Sequence, residues 1–68
     1  NEIVVSLLKS CIGKDVDKLT IMSKAFLSDA EASYYLSRLV GDGLLEYSVG
    51  LKKYRITLEG MKVAKHSE

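Results

Sequence analysis

The residues best suited to a chemical role are three basic side chains near the carboxyl-terminal end, Lys52, Lys53 and Arg55. Three basic side chains within four positions favour binding to a polyanion. Each one that neutralises a phosphate releases counterions from the polyanion. The formal net charge is only +1, so the distribution of charge matters more than its total. Residues 52–68 carry five Lys or Arg against two Glu, whereas residues 28–51 carry one Arg against four Asp or Glu. The sequence therefore predicts a local basic patch that contacts nucleic acid.

Residue sets for catalysis or metal binding are missing from the sequence. The single cysteine excludes an internal disulfide, and one cysteine with one histidine cannot supply the four ligands of a structural zinc site. Neither a G-x-x-x-x-G-K-S loop nor a G-x-G-x-x-G motif occurs. A chain of 68 residues also has a core too thin for a deep pocket. We expect no enzyme activity, no metal, no cofactor and no small-molecule ligand.

Composition indicates one globular domain over residues 1–68, since 47% of the residues are hydrophobic and 28% charged. No apolar run exceeds three residues, which predicts neither a membrane span nor a signal peptide. The lone cysteine fits a reduced, cytoplasmic setting. One asparagine, no glutamine and eight lysines indicate a thermophilic source. Because the chain begins without methionine, we expect a fragment or a processed product.

Apolar spacing predicts three helices in the first two thirds of the chain. The first spans residues 2–12 and ends at Gly13, with a stripe formed by Ile3, Val4, Leu7, Leu8, Cys11 and Ile12. Cys11 is therefore expected in the core. The second helix runs from Lys18 to Phe26, with Asp17 as its N-cap and an inward face of Leu19, Met22, Ala25 and Phe26. Val16 and Ile21 occupy the places of a hydrophobic staple.

Ser28 and Glu31 have the spacing of a capping box, which predicts a third helix running to about Asp42. Its inward stripe consists of Ala32, Tyr35, Leu36, Leu39 and Val40. The connection between the second and third helices is only about two residues long, which is typical of a helix-turn-helix. Gly43 ends the third helix.

Alternating apolar and polar residues predict a β-hairpin over 44–57 with its turn at 49–52. Tyr47 and Tyr54 fall on the inward side of the two strands and are expected in the core. Thr57 then caps a short last helix from Leu58 to about Lys65, weakened by Gly60. Its narrow apolar face consists of Leu58, Met61 and Ala64. His66 is expected to be exposed and without a role.

Three helices, a hairpin and a terminal helix form the layout of a winged helix, an α+β and mostly α fold. The sequence resembles the archaeal winged helix-turn-helix regulators, relatives of the MarR-like and PadR-like repressors, from Ile3 to Lys65. The motifs that carry the resemblance are IMSKAFLS at 21–28, YYLSRLVGDGLLE at 34–46 and YRITLEG at 54–60. In some such archaeal proteins the last helix lengthens into an antiparallel coiled coil that forms the dimer. Here it has at most about ten residues, so the first helix is the other candidate for a dimer interface.

In this arrangement the third helix enters the major groove of double-stranded DNA. Its outward stripe consists of Ala30, Ser33, Tyr34, Ser37 and Arg38. Arg38 would contact either a guanine edge or a phosphate. The alternative is that the whole stripe is a solvent-exposed helix face that does not bind DNA. The carboxylates of Asp29 and Glu31 oppose groove insertion unless they cap the helix, and Asp29 could instead accept from a cytosine amino group.

The hairpin forms the wing, which places Lys52, Lys53 and Arg55 over the phosphates or in the minor groove. The alternative is that these three side chains are solvent-exposed charges that do not bind DNA. Further phosphate contacts are expected from the second helix and the start of the third, at Lys18, Thr20, Ser23, Lys24 and Ser28.

The sequence thus predicts a sequence-specific transcriptional regulator associated with the nucleoid. We expect it to bind a pseudo-palindromic site as a symmetric homodimer. The alternative is a winged helix that binds protein as a module of a larger assembly, which the acidic 28–51 stretch and the low net charge favour.

Overall fold

The first helices and the hairpin begin and end close to the positions expected from the sequence. The computed structural model describes residues 2–66. In chain order its elements are α1 (Glu2–Ser10), α2 (Lys18–Ala25), α3 (Asp29–Gly41), β1 (Leu45–Ser48), β2 (Lys53–Ile56) and α4 (Leu58–His66). The predicted order of three helices, a hairpin and a terminal helix is confirmed. Among residues 2–66, no helix has both the length and the apolar character needed to cross a membrane.

Side-chain caps fix where α2 and α3 begin. A carboxylate oxygen of Asp17 accepts from the backbone N–H of Thr20 at 2.8 Å. At α3 the capping box is complete: Ser28 Oγ accepts from the N–H of Glu31 at 3.2 Å, and Glu31 Oε1 accepts from the N–H of Ser28 at 3.0 Å. The hydrogen bond from the Ser28 backbone is the main cause that lowers the pKa of Glu31. Both predicted caps are confirmed, and Glu31 is folded back to the helix start.

The ends of α1 and α2 lie slightly before the predicted ends. α1 stops at Ser10 because the N–H groups of Cys11 and Ile12 turn back to carbonyls three residues earlier, and Gly13 follows at φ 82°. This tighter turn leaves Cys11 in the core and Ile12 exposed, so the prediction for Ile12 was wrong. Ile3 lies at the edge of the stripe and is also partly exposed.

α2 buries only part of the predicted face: Met22 and Ala25 pack against the core as predicted, but Leu19 and Phe26 do not. Ile21 is its fully buried residue, while Leu19 is 72% and Phe26 is 92% exposed. Leu19 is two positions from Ile21 and therefore lies on another side of the helix. Phe26 is the C-cap in the left-handed conformation, at φ 56° and ψ 47°, so helical spacing no longer applies to it. The next residue, Leu27, enters the core instead.

The two strands pair antiparallel, with Leu45 opposite Ile56 and Tyr47 opposite Tyr54 on one face. Leu45 is fully buried and Tyr54 half-buried, but Tyr47 is 43% exposed, which corrects the prediction that both tyrosines lie in the core. Tyr47 borders an open cleft between the hairpin and α3, whereas Leu45 belongs to the core. Val16 pairs with Tyr54 through two backbone hydrogen bonds of 2.9 and 2.6 Å, which attaches β2 to the loop before α2.

α4 packs by its smallest residues. Thr57 Oγ1 accepts from the N–H of Gly60 at 3.0 Å and donates to the carbonyl of Gly43 at 2.7 Å, so the predicted cap is confirmed. Gly60 is buried, and a Cβ there would collide with the Leu44 carbonyl oxygen and lie 2.8 Å from Ile56 Cγ1. Gly60 therefore permits close packing where the sequence predicted only a weakened helix. Because Gly60 and Ala64 form the buried side, Leu58 is 78% exposed, contrary to prediction.

The core lies where α1 packs against α2 and α4, α2 packs against α3, and α3 packs against β1. Its buried hydrophobic residues are Leu7, Leu8, Cys11, Val16, Ile21, Leu27, Ala32, Leu36, Leu39, Leu45 and Ala64. Tyr35 is half-buried and Val40 partly exposed, so these two form the edges of the predicted α3 stripe. No polar or charged residue is buried within residues 2–66.

Candidate nucleic-acid interface

The outer face of α3 presents small and polar side chains. Because Ala32, Leu36 and Leu39 are buried, the helical period turns the opposite side of α3 to solvent. All five residues of the predicted outward stripe are exposed: Ala30, Ser33, Tyr34, Ser37 and Arg38. A helix face of this kind can come close to a flat or grooved surface without steric obstruction near its amino-terminal end.

Tyr34 and Arg38 contact each other on that face. Arg38 Nη1 donates to the Tyr34 hydroxyl at 3.2 Å, and the guanidinium carbon lies 5.8 Å from the centre of the Tyr34 ring. The hydrogen bond to Tyr34 is the main cause that raises the pKa of Arg38. Arg38 is thus a permanent cation held along α3, with its remaining N–H groups available to an acceptor.

Lys18 joins the starts of α2 and α3. Its ammonium donates to Asp29 Oδ1 at 3.1 Å and to Ser33 Oγ at 2.5 Å. The pairing gives Asp29 a structural partner, in addition to its favourable place at the start of a helix. The negative charge of Asp29 is therefore compensated locally, which weakens the objection that a carboxylate here repels phosphates.

The other residues predicted on α2 and its following turn differ in availability. Lys24 and Ser23 are exposed, whereas Thr20 is half-buried with its N–H bonded to Asp17. The Ser28 hydroxyl accepts a hydrogen bond within the capping box. Lys24 is accordingly the freest cation of this group for contact with an anionic partner.

The hairpin turn combines two lysines with two aliphatic residues. Lys52 has φ 55°, and its N–H donates to the Ser48 carbonyl at 2.7 Å, which closes the turn. Lys52 and Lys53 are both exposed, and beside them Val49 is 78% and Leu51 59% exposed. The turn therefore presents positive charge and apolar surface together.

Arg55 differs from the two lysines because it has a partner. Its Nε and Nη2 donate to the two carboxylate oxygens of Asp15 at 2.9 and 3.3 Å. The hydrogen bond from Arg55 is the main cause that lowers the pKa of Asp15. The pair connects β2 to the loop before α2, next to the backbone pairing of Val16 with Tyr54, and so attaches the base of the hairpin to the helices.

The sequence missed two residues of this surface, Tyr47 and Tyr54. Their rings lie 4.8 Å apart on the side of the hairpin that faces α3. Together with α3 they form an open cleft of about 290 Å³, lined by Lys18, Ser33, Leu36, Ser37, Val40, Tyr47 and Tyr54. The alternation along the strands correctly predicted that both tyrosines lie on one face of the hairpin. That shared face was the only signal in the sequence for the cleft. The cleft brings the outer face of α3 and the hairpin into one surface.

Within residues 2–66, no group of three or more His, Cys, Asp or Glu is arranged to hold a metal ion. Cys11 is buried, and burial raises the pKa of its thiol, as expected of a packed, unreactive cysteine.

Comparison with known proteins relates this geometry to other chains. The winged helix-turn-helix family matches residues 1–68. Among solved structures, the chain is similar to Sso10a-2, described as a DNA-binding protein from Sulfolobus solfataricus. The two chains are 25% identical with a TM-score of 0.86, and the match covers 96% of this chain and 70% of that one. No curated protein matches the sequence.

Proposed function

The chain belongs to the winged helix-turn-helix family, and from that premise we propose that it binds double-stranded DNA as a small, sequence-specific transcriptional regulator. The observation that carries the proposal is the cleft where the exposed hydroxyls of α3 meet the hairpin. One duplex can then contact the polar face of α3 and the basic hairpin at the same time. The similarity to Sso10a-2, a DNA-binding protein, supports the same conclusion.

In the proposed complex α3 lies in the major groove and the hairpin lies over the phosphates or in the minor groove. Ala30, Ser33 and Ser37 allow close approach, and Arg38 reads a guanine edge. Lys52 and Lys53 supply contacts whose strength depends on salt, because each neutralised phosphate releases counterions. Lys24 adds a phosphate contact from α2.

We further propose that two copies bind a pseudo-palindromic site, with their third helices in major grooves about 34 Å apart. A single module of 68 residues has a small footprint, and small footprints rarely give adequate specificity. α1 supplies the candidate dimer surface, because Ile3 lies partly exposed at the edge of its stripe. Sedimentation of the free protein and of its complex with a duplex tests this point, and a monomer in both would rule the dimer out.

A source among the archaea, a thermophilic habit, association with the nucleoid and kinship with the MarR-like and PadR-like repressors stay predictions. The Sulfolobus origin of the similar structure supports the first.

Fluorescence anisotropy with a labelled random-sequence duplex tests DNA binding directly. The logarithm of the association constant should fall linearly with the logarithm of salt concentration, by roughly 0.9 per phosphate contacted. Selection from a randomised library should then enrich one sequence above the random pool. Absence of binding at low salt would reject the proposal, and binding without any enrichment would leave a DNA-binding protein that does not read sequence.

Apolar side chains outside the core favour a second candidate function, a protein-binding module of a larger assembly. Leu19 and Phe26 are exposed on α2 and at its C-cap. Phe26 is also a bulky residue at positive φ, which is unusual. Exposed apolar patches mark protein contacts in many domains. This candidate predicts that the double variant, Leu19→Ser with Phe26→Ser, no longer binds a purified partner protein that the parent chain binds. The affinity of the variant for DNA should equal that of the parent.

A further inference from the structure

The cleft between α3 and the hairpin has a mixed chemical character. The polar residues that line it are Lys18, Ser33 and Ser37, and the apolar or aromatic ones are Leu36, Val40, Tyr47 and Tyr54. Its volume of about 290 Å³ is roughly ten times the ~30 Å³ that one water molecule occupies in the liquid. A ligand that suits it has an anionic end and a compact, weakly polar body.

Several hydrogen-bond donors in the cleft have no acceptor in the protein. Lys18 has three ammonium hydrogens, and two go to Asp29 and Ser33. Because Ser33 Oγ accepts from Lys18, its own hydrogen is free to point elsewhere. Within residues 2–66, the hydroxyls of Ser37, Tyr47 and Tyr54 make no hydrogen bond to the protein. One cation and four hydroxyl donors therefore border the same space.

These donors match the two unesterified oxygens of a phosphodiester, which are acceptors only. The carboxylate of Asp29 is unfavourable to an anion, but it is already paired with Lys18 at 3.1 Å. The apolar body of a deoxyribose can lie against Val40 and the exposed side of the Tyr47 ring. A peptide segment fits less well, since the cleft has no group that accepts backbone N–H donors except hydroxyls.

We propose that this cleft binds one deoxyribose-phosphate unit of the DNA backbone, with the hydroxyls of Tyr47 and Tyr54 donating to the phosphate beside Lys18. The inference rests on the proposed DNA binding and adds two contact residues that the strand pattern had placed in the core. Burial raises the pKa of Tyr54, so its hydroxyl stays protonated and can donate at all physiological pH values. The tyrosines thereby fix how far the duplex enters between α3 and the hairpin.

Tyrosine contacts have a distinguishing thermodynamic signature. A neutral hydroxyl donates a hydrogen bond to the phosphate but releases no counterion when it binds. Removing it should weaken DNA binding without changing the slope of the logarithm of affinity against the logarithm of salt. Removing a lysine that contacts a phosphate should change both.

The test compares Tyr47→Phe, Tyr54→Phe and the double variant with the parent chain, each titrated with a labelled duplex at several salt concentrations. Phenylalanine keeps the ring-on-ring contact, so the fold is retained, and thermal denaturation verifies this. Tyr35→Phe is the matched control, because Tyr35 is half-buried on α3 outside the cleft, and phenylalanine keeps the ring that contacts Tyr34. Each single change should weaken binding by about threefold to tenfold, with an unchanged salt slope and a control equal to the parent.

Aromatic NMR signals give an independent readout, since the chain has only four tyrosines. Ring signals of Tyr47 and Tyr54 should shift when duplex is added, and those of Tyr35 should shift less. Equal binding by the parent and the double variant, or unshifted signals of both tyrosines in the bound state, would overturn the cleft proposal while DNA binding stands. A parent chain that does not bind DNA would instead reject the proposed function, and with it this occupant of the cleft.

Discussion

Arg38 and Tyr34 act as one unit on the exposed face of α3, where the guanidinium donates to the tyrosine hydroxyl at 3.2 Å and lies 5.8 Å from the ring centre. The two residues are four positions apart, which makes them neighbours on a helix surface. The ring of Tyr35 supports Tyr34 edge-on, with 5.3 Å between ring centres. Arg38 is therefore restricted in direction before any partner arrives, which reduces the entropy that ordering it would cost.

If Arg38 makes the proposed bidentate contact to guanine, Arg38→Ala should lower the ratio of affinities for the selected site and a random duplex by roughly tenfold to a hundredfold. Tyr34→Phe keeps the ring but removes the acceptor, and should lower the same ratio less. Competition anisotropy measures both.

Arg38→Lys distinguishes a contact of Arg38 with a guanine edge from a contact with a phosphate. Lysine keeps the charge but cannot form the planar, two-point contact. If Arg38→Lys discriminates between sites as well as the parent, Arg38 binds a phosphate and not a guanine.

Substitution of both turn lysines, Lys52→Ala with Lys53→Ala, should weaken binding to all duplexes to a similar extent. If both cations face phosphates as proposed, the salt slope should become shallower by about one for each lysine removed. Lys62→Ala with Lys65→Ala removes the same number of lysines from α4, outside the hairpin turn, and is the matched control. A control that weakens binding as much as the turn variant would show that only total charge matters.

Asp15→Asn should strengthen binding to any duplex by severalfold. The change releases Arg55 from its two hydrogen bonds with the carboxylate and removes a negative charge beside the hairpin, so the salt slope should become steeper by up to about one. Glu59→Gln removes an equal charge that is paired with Lys62 on α4, and should leave affinity unchanged. Weaker binding by Asp15→Asn would mean that the ion pair is needed to position the hairpin.

The same pair predicts a pH effect on stability. Arg55 lowers the pKa of Asp15 in the folded state, so the pairing stabilises the fold fully above the ordinary value of about 3.9 and is lost as pH falls through the lowered value. Thermal denaturation between about pH 5 and pH 2 should therefore show a smaller decrease in Tm for Asp15→Asn than for the parent. Equal decreases would show that other carboxylates account for acid sensitivity.

Gly60→Ala should lower the free energy of unfolding by about 1–3 kcal/mol, because the added methyl group meets the Leu44 carbonyl and Ile56. For a domain of this size each kcal/mol corresponds to roughly 4–8 °C in Tm. Gly41→Ala is the control: it is also helical, and a Cβ there meets nothing within 4 Å, so it should stabilise by about 0.5–1 kcal/mol. A Gly60→Ala variant as stable as Gly41→Ala would contradict the close packing of α4.

The helices and strands of this chain could be predicted from its residues alone, because caps and hydrophobic periods act through neighbours along the chain. Asp17, Ser28 and Thr57 start their helices through hydrogen bonds to residues three positions away, and alternation put Tyr47 and Tyr54 on one face of the hairpin. The outward face of α3 followed from the same period, and all five of its expected residues are exposed.

Which apolar residues are covered and which charges are paired depends on the packing of elements that are distant along the chain. Leu19 and Leu58 continue apolar patterns, yet they are exposed because the neighbouring elements pack against Ile21, Gly60 and Ala64 instead. The bond between Arg55 and Asp15 spans 40 positions, and that between Lys18 and Ser33 spans 15. Such contacts depend on how the helices and strands are placed relative to one another. The hydrophobic period within one element contains no information about that placement. For the same reason the cleft at Tyr47 could not be read from the strand pattern.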